Sequence, residues 1–267
     1  MNENGGTRSW HAFLKFPLGY RLTKPRQQGL TMVIDKGMGL METKDILHVC
    51  APYIDFFKLG FGTPALYAPE VLEEKIQLVK SFGVDIYPGG TFLEVAILQE
   101  RIEEYLYLAR ALGFTAIEVS DGTITLSGEV RERIIHRAAE MGFVVLTEVG
   151  KKDGRCPVSR LAEQVIRDLK CGAFRVILEG RESGNNAGVY NEQGELLSAE
   201  LEELLAAIGD PRLIIWEAPR KEQQQEFILR FGPNVNLGNI PPQEVLALEA
   251  LRVGLRADTL KAVIANA

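Results

Sequence analysis

The chain has little cysteine, little histidine and no block of positive charge. Its three cysteines, Cys50, Cys156 and Cys171, form no C-x-x-C pair and no Cys/His ligand spacing. That excludes a disulfide framework and a zinc site, and leaves reduced thiols as the default. The three histidines fall in the leader (His11) or inside helical stretches (His48, His136), away from every predicted strand end, so general acid or base work passes to Lys, Glu or Asp. Lys and Arg number 30 against 36 Asp and Glu, a net charge of −6, which disfavours a nucleic-acid or anionic-membrane surface. No apolar run approaches the roughly 18 residues of a membrane span, and MNENGGTRSW lacks a signal-peptide apolar stretch, so a cytoplasmic location is expected. G-x-S-x-G, H-E-x-x-H and G-x-x-x-x-G-K-[ST] are missing as well, and the serine hydrolase, zinc protease and P-loop readings fail with them. Gly60-Phe-Gly62-Thr-Pro-Ala65 matches G-x-G-x-x-A, but Pro64 and Pro69 keep a helix from starting where a pyrophosphate would need it.

What the sequence does contain is a repeated phrase. After a polar, basic leader to about Leu30, a short β-branched or aromatic run, a polar or Gly-rich break and an amphipathic helical stretch recur. The eight runs are Thr31–Asp35, Ile54–Leu59, Val84–Tyr87, Ala116–Val119, Phe143–Val149, Phe174–Glu179, Leu213–Trp216 and Val235–Leu237. Apolar spacing of three and four predicts helices over Pro69–Phe82, Phe92–Leu112, Ser127–Met141, Val158–Cys171, Ser198–Ile208, Lys221–Phe231 and Pro242–Val253. Strand ends at Pro88, Glu118, Glu148 and Glu179 stand 30, 30 and 31 residues apart, the length of one strand, one helix and two turns. Eight such units predict an α/β fold, a single-domain (β/α)8 TIM barrel over residues 31–255, with a leader at 1–30 packed on it and a tail at 256–267. An open doubly wound sheet is the alternative. Residues 183–197, rich in Gly and Asn, read as a mobile flap or a small hairpin.

In such barrels the reactive groups come from the carboxyl ends of the strands. Here those ends are polar. Val33, Phe56, Ala116, Leu146, Ile177 and Ile215 share the period-two parity of Asp35, Lys58, Glu118, Glu148, Glu179 and Glu217, which puts six polar groups on one strand face. A solvated rim of ion pairs is one reading of any single member. For the set, charges packed at a barrel mouth are expensive unless paired or bound to metal. Glu118, Glu148, Glu179 and Glu217 supply the hard oxygen ligands that Mg²⁺ prefers. Lys36, Lys58, Lys151, Lys152 and Arg181 offer charge to a small phosphorylated or carboxylated substrate. Lys151, with Lys152 beside it, fits a lysine whose acidity is raised by a neighbouring cation; a solvated basic turn balanced by Asp153 competes with that reading. Gly89, Gly90 and Gly238 offer backbone donors to an anion or serve as ordinary turn glycines.

Taken in order, Lys24-Pro25-Arg26, GLTMVIDKG, KLGFGT, PGGT, EVSDGT, EVGKKD, EGRESG, WEAP and NVNLGNI resemble the phosphosulfolactate synthase family from about Lys24 to Ile240. The resemblance implies a barrel lyase that adds sulfite to phosphoenolpyruvate, with Mg²⁺, to give (2R)-2-O-phospho-3-sulfolactate, a step toward coenzyme M or sulfolactate. With it, Lys151 is the expected acid, with Lys152 and Lys36 its rivals. Glu148 and Glu179 are the expected metal ligands, with Glu118 and Glu217 as alternates. Arg26, Asp35, Lys58, Gly90, Arg181, Asn236, Gly238 and Asn239 are the expected substrate contacts. The expected partners are these small anions and further copies of the chain in a homo-oligomer, with no nucleic acid and no membrane. Another enolate-handling barrel lyase or aldolase, and a non-catalytic stress-associated relative, stay open as alternatives.

Overall fold

The computed structural model describes residue 10 and residues 13–151 and 156–265. The chain alternates strand and helix. β1 (Thr31–Asp35) leads to α1 (Leu40–Cys50), β2 (Phe56–Leu59) to α2 (Pro69–Ser81), and β3 (Asp85–Pro88) to two helices, α3 (Gly90–Leu98) and α4 (Ile102–Leu112). β4 (Ala116–Val119), α5 (Gly128–Glu140), β5 (Val144–Val149), α6 (Val158–Lys170), β6 (Arg175–Leu178) and α7 (Ser198–Ile208) follow. β7 (Ile214–Glu217), α8 (Lys221–Phe231), β8 (Leu237–Ile240), α9 (Val245–Arg252) and α10 (Ala257–Ala265) complete the order. Parallel ladders join the strands as β3-β2-β1-β8-β7-β6-β5-β4. The seam between β3 and β4 is closed by Thr115, whose N–H donates to the Ile86 carbonyl at 3.1 Å and whose Oγ1 accepts from the Ile86 N–H at 3.0 Å. The fold is a single-domain (β/α)8 barrel.

Most strand residues are buried on both faces, which is why the runs read as apolar almost throughout. The outward set, Val33, Phe57, Ile86, Ile117, Val145 and Val176 among them, packs under the helices. The inward set, Leu30, Met32, Phe56, Tyr87, Ala116, Leu146, Ile177 and Ile215, fills the barrel interior as a separate cluster. This plug sets the floor of whatever lies above it at the carboxyl end.

Element bounds differ from the sequence expectation at several places. The single helix expected over Phe92–Leu112 is two, because Glu100 adopts a left-handed φ of 57° and turns the chain between α3 and α4. β2 starts at Phe56, after a 3-10 turn over Ala51–Tyr53 that carries Pro52. β8 runs Leu237–Ile240, and Asn236 just before it ties its side chain to Leu30, Arg212 and Ile214. The segment after β6 is a small hairpin, one of its two expected readings, bridged at Tyr190 and Leu196, with Ala187, Val189 and Tyr190 buried. Among the described residues, no helix is long and apolar enough to cross a membrane.

Candidate active site

Parity carries five charged side chains onto the plug. Lys58, Glu118, Glu148, Glu179 and Glu217 each stand two residues beyond an inward apolar residue: Phe56, Ala116, Leu146, Ile177 and Ile215. They line a cavity of about 280 Å³ at the carboxyl end of the barrel. All five are buried. Lys58 Nζ lies 3.0 Å from Glu118 Oε2, 3.4 Å from Glu148 Oε2 and 3.6 Å from Glu217 Oε1. Backbone amides hold the carboxylates in place: Gly90 N–H donates to Glu118 at 2.7 Å, Gly180 N–H to Glu217 at 2.9 Å and Arg181 N–H to Glu179 at 2.6 Å.

Among the described residues, four carboxyl groups therefore gather around the Lys58 ammonium. Burial by itself lowers the Lys58 pKa, but Glu118, Glu148 and Glu217 outweigh it and hold the ammonium charged well above its ordinary value. Burial, with repulsion from Glu148, raises Glu118 against the pull of Lys58, and the same contest pushes Glu217 up to about 7. One oxygen from each of Glu148, Glu179 and Glu217 lies within 4.8 Å of the others. Among the described residues no hydrogen-bond donor reaches Glu217 Oε1. Three hard oxygen donors, buried and within reach of one another, fit a divalent cation such as Mg²⁺.

The mouth is built from loop residues with unusual backbones. Phe61, Arg181 and Asn239 line the cavity with φ of 55°, 59° and 55°, and strained positions of this kind cluster at functional sites. Asn239 Oδ1 and Arg181 Nε are buried with no hydrogen-bond partner among the described residues. Lys36 stands at the rim, paired with Glu182, which itself lines the cavity.

The other expected site residues lie as follows. Asp35 is on the opposite face from Lys58: Met32 belongs to the inward plug, so Asp35 points outward, pairs with buried Lys75 of α2 and accepts from Gly37 and Met38 N–H. Arg26 and Asn236 sit at the amino end of the barrel, across the plug from the cavity. Arg26 binds Asp55 at 2.8 Å, and Asn236 ties Leu30 to the start of β7. Gly90 spends its N–H on Glu118, and a Cβ there would lie 2.5 Å from Ser120 Oγ. Gly238 is a packing glycine, since a Cβ would lie 2.6 Å from Met32 Cε. Lys151 turns its ammonium to the loop after β4, donating to Asp121 Oδ2 at 3.0 Å, to the Ile124 carbonyl at 2.9 Å and to the Asp121 carbonyl. Lys152 lies outside the described residues.

Sequence reasoning missed Glu94, whose buried carboxylate accepts from Ser120 Oγ and from Thr123 and Ile124 N–H and so shapes that same loop. Its signal was a lone charge in the apolar stretch GTFLEVAIL. It also missed Arg131 and Tyr190, which no local pattern marks.

A carboxylate-lined cavity with a buried lysine at the carboxyl end of an eight-stranded α/β ring defines a barrel enzyme. Solved barrels match the fold. Deoxyribose phosphate aldolase from Aeropyrum pernix aligns with a TM-score of 0.53 at 16% identity over 84% of this chain and 90% of its own. N-acetylneuraminate lyase from Mycoplasma synoviae aligns at 0.52 and 14% identity, over 90% of this chain and 79% of its own. The family model described as (2R)-phospho-3-sulfolactate synthase (ComA) matches residues 19–258. The phosphosulfolactate synthase of Methanothermobacter thermautotrophicus is 47% identical over 246 residues, 90% of this chain and 94% of the relative. That of Methanocaldococcus jannaschii is 46% identical over 87% of this chain and 94% of the relative, and that of Bacillus subtilis 37% identical over 91% and 96%. The chain belongs to the phosphosulfolactate synthase family and is an enzyme.

Proposed function

We propose that this enzyme adds sulfite to phosphoenolpyruvate, with Mg²⁺, to give (2R)-2-O-phospho-3-sulfolactate. The observation that carries the reading is the carboxylate trio beside Lys58, in a chain of this family. Attack of the sulfite sulfur on the methylene carbon forms the C–S bond and pushes the double-bond electrons toward C2 and the substrate carboxylate. A site that develops such charge needs fixed positive groups aimed at it. Lys58 is one, held charged by its three carboxylate neighbours. Glu148, Glu179 and Glu217 would hold Mg²⁺, which when bound supplies further positive charge to the substrate oxygens.

Arg181 and Lys36, at the mouth, suit the phosphate and the incoming sulfite. Asn239, with its buried side-chain oxygen, suits a substrate donor or a bridging water. The proton that completes the product at C2 is assigned to Lys151. Thr123 lines the cavity, and the next residue, Ile124, accepts from the Lys151 ammonium, so a rotamer change brings that ammonium to the lip. An aldolase Schiff base needs a neutral amine, and the Lys58 ammonium is kept charged. Within this proposal the enzyme works in the cytoplasm, where Cys50, Cys156 and Cys171 stay as free thiols.

The test is incubation of the purified protein with phosphoenolpyruvate, sulfite and Mg²⁺, followed by mass spectrometry. The expected result is an adduct that needs all three components. Folded protein that yields no adduct at saturating substrates and metal would overturn the proposal.

A further inference from the structure

The carboxylates of the trio are held from behind by groups that never enter the cavity. Glu217 closes β7, and the Tyr190 hydroxyl donates to its carbonyl at 2.7 Å. Glu148 lies at the end of β5, and Arg131 Nη2 donates to its carbonyl at 2.9 Å. A Cβ at Gly188, in the same hairpin as Tyr190, would run into the Glu179 carbonyl, so that backbone is braced as well.

Neither donor is free to wander. Tyr190 is buried, its ring edge-on to Phe227 at 6.4 Å, and Phe227 stacks at 5.0 Å on Trp216, the neighbour of Glu217 in β7. Arg131 is buried and grips Asp168 of α6 through Nε at 2.9 Å and Nη2 at 2.7 Å. The braces thus join the hairpin and two helices to the strand ends that carry Glu148 and Glu217.

We infer that Tyr190 and Arg131 are positioning residues that fix the spacing of the Glu148, Glu179 and Glu217 carboxylates and thereby favour Mg²⁺ over the larger Ca²⁺. The inference rests on the Mg²⁺ reading above. Mg²⁺ demands near-octahedral ligands at about 2.0–2.1 Å, whereas Ca²⁺ accepts looser shells at about 2.3–2.6 Å. Carboxylates that cannot spread penalise the larger ion. Releasing one brace lets the trio widen, which costs Mg²⁺ more than Ca²⁺.

Calorimetric titration of Mg²⁺ and of Ca²⁺ into the full chain, without substrate, tests this. Tyr190→Phe keeps the ring and its stacking and removes only the hydroxyl donor. Mg²⁺ binding should weaken about 10-fold, the lower end of what such supporting groups are worth, with Ca²⁺ binding little changed and the thermal midpoint in EDTA close to the parent's. Arg131→Lys, which keeps the charge facing Asp168, should likewise weaken Mg²⁺ more than Ca²⁺. If Tyr190→Phe weakens both ions by one factor, or leaves Mg²⁺ binding as it was, the positioning role is overturned while the metal reading stands. A parent protein that takes up no Mg²⁺ overturns the metal reading, and this inference with it.

Discussion

Lys58 sets the charge of the cavity, and its removal has a calculable direction. Lys58→Met leaves Glu118, Glu148 and Glu217 without their shared partner. Breaking a buried pair from one side costs about 3–5 kcal/mol, so urea denaturation of the metal-free variant at neutral pH should show a loss of that order, together with loss of turnover. Lys151 poses a sharper question. If it delivers the proton, Lys151→Ala should keep phosphoenolpyruvate binding within a few-fold while turnover falls roughly 100-fold to 10,000-fold. Lys151→Arg should not rescue, because guanidinium is a very poor donor near neutral pH. Intact turnover at saturation with a raised KM would make Lys151 a clasp for the Asp121–Ile124 loop instead. Five of the six strand-end groups were legible from period-two parity, because an apolar residue two places back marks the inward face. Asp35 was not, since TMVID is apolar on both faces and its alternation specifies neither. Asn236 was misjudged because the start of β8 lies two residues later than the apolar run suggests, which moves the side chain from the mouth to the floor.

At the scale of elements, alternation of strand and helix made the barrel legible, because each unit must bury a two-faced strand under an amphipathic helix. Eight units predicted the closure, but how the chain makes it was not legible. It depends on Thr115, which pairs with both backbone groups of Ile86 where β3 and β4 meet, and a single threonine before a strand carries no periodic signal. Thr115→Val keeps the shape and strands the Ile86 N–H, a loss of about 1–3 kcal/mol for a buried donor. Denaturant unfolding should register it, and amide exchange should quicken at Ile86 ahead of the β5–β6 ladder; uniform exchange across the sheet would deny the seam this role. The hairpin after β6 escaped a definite reading for a related reason. Gly and Asn composition signals turns, but the docking of that segment comes from Tyr190, Ala187 and Val189 meeting partners far away in sequence. Supporting residues such as Arg131 and Glu94 belong to this class, since they matter through partners 17 to 37 residues away.

For the whole molecule, the acidic cavity links stability to pH and, with the Mg²⁺ site proposed above, to metal. Glu217 ionises at about 7 in the folded chain against an ordinary 4.5, and Glu118 moves the same way. A carboxyl raised on folding binds its proton more tightly in the native state, so metal-free stability is highest below about 4.5 for these groups and declines as pH rises through the window to about 7. Lys58 adds no slope there, because a raised ammonium contributes fully at every pH below its ordinary 10.5. Asp210 and Asp258, lowered by Arg212 and Lys221, act only as pH falls below about 3.8. The decline between 4.5 and 7 therefore reports the cavity. A divalent cation binds the ionised trio and not the protonated one, so it competes with those protons. Thermal unfolding with saturating Mg²⁺ minus that in EDTA should give a small difference at pH 5 that grows steadily to pH 7.5. Glu217→Gln should flatten the metal-free decline and shrink the Mg²⁺ increment together. A parent protein whose Mg²⁺ increment is the same at pH 5 and pH 7.5 would show that the ion binds elsewhere, on groups already ionised across the whole window.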